Sequence, residues 1–122
     1  MIYSGSFLKV IDNSGVRIVK CIRVYIKSDF KPGLVGSMIL VSVRKVFSDK
    51  KIKKGEVYKG VIVRTKKILV RYGGVFLKCD SAAVVLYNKR EQLLGNRILE
   101  PVSFELRNFN HLKIMSLAPY II

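Results

Sequence analysis

The sequence predicts a mainly β fold, a small barrel with a hairpin arm, and three observations lead to it. Seven or eight short apolar runs follow one another, with turn signals every 8–12 residues, which is the pattern of a sandwich or small barrel. Gly73 and Gly74 separate two of these runs and favour a projecting two-residue hairpin. The last twenty residues have helical spacing instead. A barrel is preferred because closing a sheet removes its exposed edges.

The predicted strands occupy the first 102 residues and follow one another with short turns. In order they are FLKVI (7–11), VRIVKCIRVYIK (16–27), SMILVSVRKVF (37–47), EVYKGVIVRT (56–65), ILVRY (68–72), VFLKC (75–79), AAVVLY (82–87) and NRILEPV (96–102). The hairpin arm spans about 64–80. Its basic residues alternate with apolar ones, as in a ribbon that has one solvent-facing side.

The C-terminal segment, about 103–122, is predicted to contain short helices. Ser103 can cap one turn, Glu105 is favoured in that first turn by the helix dipole, and Asn110 can cap a second. Pro119 ends the helical stretch. The residues expected to face the barrel recur at helical spacing: Leu106, Phe109, Leu112 and Met115. The whole chain, 1–122, is therefore predicted to form one domain, with a barrel over about 1–102.

Charge is the feature that bears most on function. The chain has 23 Lys and Arg against 8 Asp and Glu, a formal net charge of +15, although half of its residues are hydrophobic. A folded core with that much positive charge repels itself unless a polyanion neutralises it. The candidate partners are nucleic acid, an anionic membrane surface and, less often, an acidic protein.

The positive charge is concentrated rather than spread evenly. Residues 44–71 carry eleven Lys and Arg and only two acids, a net charge of +9 within 28 residues. The loop SDKKIKKGE (48–56) and the stretch RTKK (64–67) account for much of it. Lysine outnumbers arginine in the chain, 15 to 8, which favours point-charge contacts to phosphates over bidentate reading of bases. For any single run, a solvated surface is the plain alternative.

The stretch DNSG (12–15) resembles a small active site but is typical of a tight turn between two strands. Asp and Asn bond to their own backbone, and Gly15 adopts positive φ at no cost. A catalytic Ser14 would need a nearby base, and the chain has one histidine, His111, interpreted as a helix-start or surface residue. We expect no enzyme activity, no cofactor and no bound metal.

Tyr72 and Phe76, beside the hairpin tip, are the aromatic pair considered for base stacking. Packing of the two rings across the hairpin is the alternative.

Cysteine usage and hydropathy bear on the cellular compartment and on whether the chain spans a membrane. Cys21 and Cys79 lie in apolar contexts without metal-like spacing and are expected to be buried free thiols; a disulfide would require an oxidising compartment. The longest uncharged apolar run, 34–43, is too short to span a bilayer as a helix. No presequence pattern is visible at the N-terminus.

Four segments, in order and over nearly the whole length, resemble the universal large-subunit ribosomal protein numbered fourteen, in its bacterial and organellar form. They are VIDNSGVRIVKCIRV (10–24), KIKKGEVYKGVIVRTKK (51–67), GNRILEPVSFELR (95–107) and KIMSLAP (113–119). The departures lie at Gly73, Cys79 and Ala82 of the arm, in LEP (99–101), and in the apolar end APYII. The resemblance implies a five-stranded β-barrel with a projecting ribbon and a C-terminal segment containing short helices.

The resemblance also implies a function. The family is a structural constituent of the large subunit, binds large-subunit rRNA and contributes to bridges with small-subunit rRNA. It contacts large-subunit proteins three and nineteen, and its members serve as docking sites for silencing or anti-association factors. By position, the rRNA-binding candidates are Asn13, Ser14, Arg17, Arg44, Lys50, Lys51, Lys53, Lys54, Arg64, Lys66, Lys67, Arg71 and Lys78. The candidates that face the bridge or a protein partner are Arg97, Glu105, Arg107, Asn110 and Lys113.

Three other functions fit parts of the pattern. They are a free oligonucleotide-binding barrel that stacks bases on Tyr72 or Phe76, a membrane-surface or acidic-partner protein, and an enzyme. We expect neither DNA nor a membrane among the partners. Thirteen Ile, 15 Lys and only 3 Ala indicate an A/T-rich genome. The expected location is a ribosome, in the mitochondrial matrix before a plastid or a bacterial cytoplasm.

Overall fold

The structure, a computed structural model, describes residues 2–25, 33–47, 52–109 and 111–122. Seven strands are present in this part of the chain: β1 Phe7–Val10, β2 Val16–Val24, β3 Met38–Val46, β4 Val57–Arg64, β5 Leu69–Arg71, β6 Val75–Leu77 and β7 Ala83–Tyr87. They are followed by a 3₁₀ helix, Phe104–Phe109, and a helix α1, Leu112–Leu117. The predicted mainly β class is confirmed.

Five of the strands close into a barrel in the order β1-β2-β3-β4-β7. Neighbours pair antiparallel, except that β1 closes the barrel against β7 in parallel. Alternating residues of all five strands, such as Leu8, Val19, Val41, Ile62 and Val84, form one core cluster, because side chains alternate between the two faces of a strand. The predicted five-stranded barrel is therefore confirmed.

Strands β4 and β7 are buried on both faces. Val61, Val63 and Val85 turn away from the first cluster and join a second one with Val102 and Leu106. The C-terminal segment covers this outer face. Its backbone is joined to β4 by the hydrogen bond from Ser103 N to Val63 O, at 3.1 Å. A strand covered on two sides reads as a continuous apolar run, which explains the sequence VIV (61–63).

Strands β5 and β6 form a separate two-stranded ribbon, the arm. Arg71 pairs with Val75, so the connection holds three residues, 72–74, and the predicted two-residue turn is wrong. Gly73 and Gly74 both have positive φ, at 86° and 78°, which is why glycine is needed at each. Tyr72 is fully exposed, so it does not pack across the hairpin.

Two C-terminal predictions need correction. The predicted strand over 96–102 is not formed; Ile98 and Val102 make only isolated bridges, and proline at position 101 removes a ladder donor. In α1 the buried residue is Ile114, whereas Leu112 of the predicted apolar face is exposed. The helix ends before Pro119, as predicted. Asn110 lies outside the described residues, and His111 occupies the N-cap position.

Both cysteines are free thiols. Cys21 is buried in the barrel, as expected, and burial raises the pKa of its thiol. Cys79, which follows the arm, is only half-buried. In the described part of the chain, no helix is long and apolar enough to cross a membrane.

Candidate nucleic-acid interface

The DNSG turn is held together by its own side chains, as a bend requires. Asp12 is buried, and its carboxylate accepts hydrogen bonds from the backbone N–H and hydroxyl of Ser14 and, at 3.2 Å, from the backbone N–H of Leu86. Burial raises the pKa of this carboxyl, against the hydrogen bonds, which lower it. Gly15 has a φ of 98° and completes the turn. The interpretation of this stretch as a turn is confirmed.

Asn13 ties the turn to the segment that follows β7. Its side-chain oxygen accepts hydrogen bonds from the backbone N–H groups of Asn96, at 2.9 Å, and Arg97, at 3.0 Å. Its side-chain amide donates to the Asn96 side chain, and its backbone N–H donates to the Arg97 carbonyl at 3.2 Å. The polar groups of Asn13 are thus largely used inside the molecule, as is the hydroxyl of Ser14.

The described part of the basic loop forms a tight connection between β3 and β4. The backbone N–H of Gly55 donates to the Val43 carbonyl at 2.9 Å, and the N–H of Val43 donates to the Glu56 carbonyl at 2.9 Å. Lys53 and Lys54 lie at the exposed end of this connection. The predicted neighbours Lys50 and Lys51 lie outside the described residues. The connection therefore presents at least two lysines to solvent.

Two arginines predicted to contact phosphates, one at the end of β4 and one at the end of β5, are instead bonded inside the protein. The Arg64 guanidinium contacts the Ser81 hydroxyl at 3.1 Å and the Glu100 carboxylate at 3.5 Å. The Arg71 guanidinium donates to both carboxylate oxygens of Glu105, at 2.7 and 3.0 Å, and to the Ile122 carbonyl. These contacts fasten the arm and the segment after β6 to the C-terminal segment.

The Arg71–Glu105 pair shifts the pKa values of both side chains. Burial alone would raise the pKa of Glu105, but hydrogen bonds from Arg71 and Ser103 outweigh it and hold that pKa below its ordinary value. The same pair raises the pKa of Arg71. A bidentate guanidinium–carboxylate pair is among the stronger ion pairs, and here it joins Arg71 of the arm to the 3₁₀ helix. Glu105, predicted to face a partner, is paired with Arg71 of the arm.

The remaining cations of the predicted rRNA set point to solvent. This exposed group consists of Arg17, Arg44, Lys53, Lys54, Lys66, Lys67 and Lys78. In the described part of the chain, none of the four lysines 53, 54, 66 and 67 has a side-chain hydrogen bond or ion pair. A lysine without a protein partner keeps its charge available to an external anion. Arg17 and Lys66, 49 positions apart, line the same cleft of about 580 Å³.

The predicted bridge and partner residues lie near the C-terminal segment. Arg97 is exposed, while its backbone is bonded to Asn13. Arg107 is exposed, with its guanidinium carbon 5.9 Å from the centre of the Phe104 ring. Lys113 is exposed on α1, and Asn110 is outside the described residues. In the sequence, these positions are well separated from the exposed lysines at 53–54 and 66–67.

Sequence reasoning missed a second class of exposed residues beside the cations. Phe7 and Phe47 are 64% and 54% exposed, and each lies under a positive charge. The Lys20 ammonium is 5.8 Å from the centre of the Phe7 ring, and the Arg17 guanidinium is 5.2 Å from that of Phe47. Phe7 directly opposes Lys20 across β1 and β2, so the alternation of residues in the two strands could have revealed that pair.

His111 takes part in local structure. Its ring Nε2 lies 3.1 Å from the Gly36 carbonyl, which links α1 to the turn before β3. Within the described residues, no three His, Cys, Asp or Glu side chains group where they could hold a metal ion. The polar residues that first suggested a site, Asp12 and Ser14, bond to each other and to the backbone.

Comparison with known protein families shows the family to which the chain belongs. The family model for ribosomal protein L14p/L23e matches residues 1–122, the whole chain. The chain belongs to this family. Members of the L14p/L23e family are structural ribosomal proteins of the large subunit and not enzymes. Membership places this chain on the ribosome, in association with rRNA and other ribosomal proteins, and confirms the resemblance seen in the sequence.

Proposed function

We propose that this L14p/L23e protein binds large-subunit rRNA through its exposed lysines and holds its C-terminal segment toward the small subunit. The observation that carries the proposal is the group of lysines at 53–54 and 66–67, which have no side-chain partner among the described residues. Each phosphate contacted by such a lysine releases condensed counterions, which drives association. A charge of +15 on a folded domain is best explained by this neutralisation.

The closed barrel and its internal hydrogen bonds support a scaffolding mechanism. The barrel is closed, the DNSG turn is held by buried Asp12, and the arm is held by the Arg71–Glu105 pair. Lysine side chains then start from fixed backbone positions, so less entropy is lost when they contact phosphates. In this proposal the protein holds rRNA segments in place and performs no chemistry.

The finer assignments follow from position. We assign the predicted rRNA group to the rRNA side, with Arg64 and Arg71 acting through the fold because internal partners occupy them. We assign Arg97, Arg107 and Lys113, with Asn110, to the side that meets small-subunit rRNA and protein partners. Those partners are large-subunit proteins three and nineteen, and a silencing or anti-association factor. The amino-acid usage supports a mitochondrial ribosome.

Sedimentation of the tagged chain through sucrose gradients at moderate and high salt tests the proposal. We expect it to migrate with the large subunit and to remain there at high salt, because many charge contacts act together. The Lys66→Gln, Lys67→Gln double variant should dissociate at lower salt than the wild type. A matched double variant, Lys89→Gln and Arg90→Gln, changes two adjacent exposed cations outside the proposed set and should behave as the wild type. Recovery of the wild type only at the top of both gradients would contradict the proposal.

A further inference from the structure

A cleft of about 580 Å³ opens beside β1. Phe7 and Lys9 of β1 and Arg17 and Ile18 of β2 contribute to its lining. Phe47 lines it just after β3, and Lys66 lines it from the base of the arm. Its volume falls within the range of about 300–1,000 Å³ that is typical of pockets for small organic groups.

Local structure explains how Arg17 and the Phe47 ring come together at this cleft. The register between β2 and β3 shifts between Val16 and Ile18, so Arg17 is an extra residue in β2. Such a bulge redirects a side chain, and here it brings Arg17 over the Phe47 ring. The backbone N–H of Phe47 donates to the Gly15 carbonyl at 2.9 Å, so the backbone of Phe47 is joined to the DNSG turn.

The charges around the cleft favour an anionic occupant. The Glu100 carboxylate is paired with the Lys9 ammonium at 2.7 Å, and the buried Asp12 carboxylate accepts three hydrogen bonds from within the protein. Arg17 and Lys66 have no carboxylate partner among the described residues. The Lys20 ammonium lies over the Phe7 ring, although Lys20 itself does not line the cleft. The rim is therefore cationic, while two aromatic rings remain exposed inside it.

We propose that this cleft binds an unstacked base of single-stranded RNA, with the base against Phe7 or Phe47 and the adjoining phosphates on Arg17 and Lys66. The inference rests on the proposed rRNA binding and adds to it a contact that phosphate attraction alone does not supply. Aromatic rings beside a cationic groove are the arrangement by which proteins hold single-stranded nucleic acid, because every base has a face that can stack. The cation–π contact with Phe47 orients Arg17 at the same time.

Binding of two chemical probes to the full chain tests the proposal. The first is a ten-nucleotide oligoadenylate, and the second is a ten-unit sugar-phosphate chain of equal charge that lacks bases. We expect the wild type to bind the oligoadenylate roughly 5- to 150-fold more tightly, the range expected for one stacked base. The Phe7→Leu, Phe47→Leu double variant should lose most of this ratio and keep its affinity for the base-free chain.

Phe104→Leu is the matched control. Phe104 is 46% exposed and also lies under an arginine, Arg107, but it does not line the cleft. Its substitution should leave the ratio unchanged. Thermal unfolding of each variant checks that the barrel is intact, and the single variant Phe47→Leu replaces the double variant if that one is unstable.

The outcomes separate this inference from the proposed function. Equal binding of both probes by the wild type would overturn the base site while leaving phosphate binding in place. Binding of neither probe would overturn both. Loss of large-subunit association in the Phe7→Leu, Phe47→Leu variant, with equal binding of both probes, would assign the cleft to a protein neighbour and also overturn the proposal. A base-dependent ratio that the Phe104 variant keeps and the cleft variant loses would establish it.

Discussion

Two pairs of cations, Arg64 with Arg71 and Lys66 with Lys67, lie within eight positions of one another in and before the arm and differ in what they contact. Both arginines are less than 30% exposed and contact carboxylates and carbonyl oxygens of the same chain. Both lysines are exposed and have no side-chain partner among the described residues. The planar guanidinium suits several acceptors at once, whereas the ammonium is a flexible point charge. A basic cluster in a sequence can therefore combine charges that build the fold with charges that bind.

The largest effect is expected on rRNA affinity when the four exposed lysines are replaced. Replacing Lys53, Lys54, Lys66 and Lys67 by Gln removes four phosphate contacts, so affinity for a large-subunit rRNA fragment should fall on the order of 10²- to 10³-fold near physiological salt. The unfolding free energy should change little, because these side chains have no internal partner. Filter binding and urea unfolding measure the two quantities. Unchanged affinity would contradict the assignment of these lysines.

Replacing Asp12, the buried carboxylate in the DNSG turn, should instead change the stability of the fold. Asp12→Ala leaves the buried Leu86 N–H without its acceptor, and we expect the unfolding free energy to fall by about 1–3 kcal/mol. Urea unfolding measures the loss, and Asp12→Asn, which keeps one acceptor oxygen, is the conservative control. A variant as stable as the wild type would show that the turn does not depend on this carboxylate.

Arg71→Gln should separate folding from binding most cleanly. It removes the contacts to Glu105 and to the Ile122 carbonyl, and we expect a loss of about 1–2 kcal/mol in the unfolding free energy. The salt dependence of rRNA binding should remain as in the wild type. Arg71→Lys should recover only part of the stability, because an ammonium cannot contact both carboxylate oxygens in the fork geometry. A reduced salt slope for Arg71→Gln would assign this arginine to phosphate instead.

The smallest expected effect is the pH dependence of the unfolding free energy. The pKa of Glu105 is lowered in the folded state, so its stabilising contribution is present above the ordinary value of 4.5 and is lost as pH falls through the folded-state pKa. Asp12 acts with the opposite sign: its raised pKa means that its ionisation costs stability as pH rises above 3.8. The difference between wild type and Glu105→Gln isolates the first effect. That difference should shrink as pH is lowered below 4.5, as followed by urea unfolding; a constant difference would contradict it.

The barrel was largely predictable because strands with one buried face, such as β1 and β3, show it in their alternation, and the continuous apolar run of β7 marks a strand covered on both faces. The arm was predictable from the two glycines at its tip. Two predictions failed where contacts distant in sequence decide the structure. The segment 96–102 is joined by isolated bridges to Asp12 and Ile121, and its apolar residues fill a space that other elements define. Leu112 and Ile114 both fit a helix, and only the position of the barrel decides which one is buried.

The candidate site was less predictable for the same reason. Charge clustering identified the exposed lysines, but the Glu105 that occupies Arg71 lies 34 positions away in the sequence. The cleft joins Phe7, Arg17, Phe47 and Lys66 from four parts of the chain. The composition of these separate segments gives no sign that they meet. Closure of the barrel and the bulge at Arg17 bring them together.

The most direct test of this account is the salt dependence of binding to a large-subunit rRNA fragment for two matched double variants. Lys66→Gln with Lys67→Gln should reduce the log–log slope by roughly 1.4–1.8, at 0.7–0.9 for each contact, and leave stability intact. Arg64→Gln with Arg71→Gln should lower stability and leave the slope unchanged at a temperature where the variant is folded. Equal slopes for the lysine variant and the wild type would contradict the claim that these exposed lysines hold rRNA phosphates.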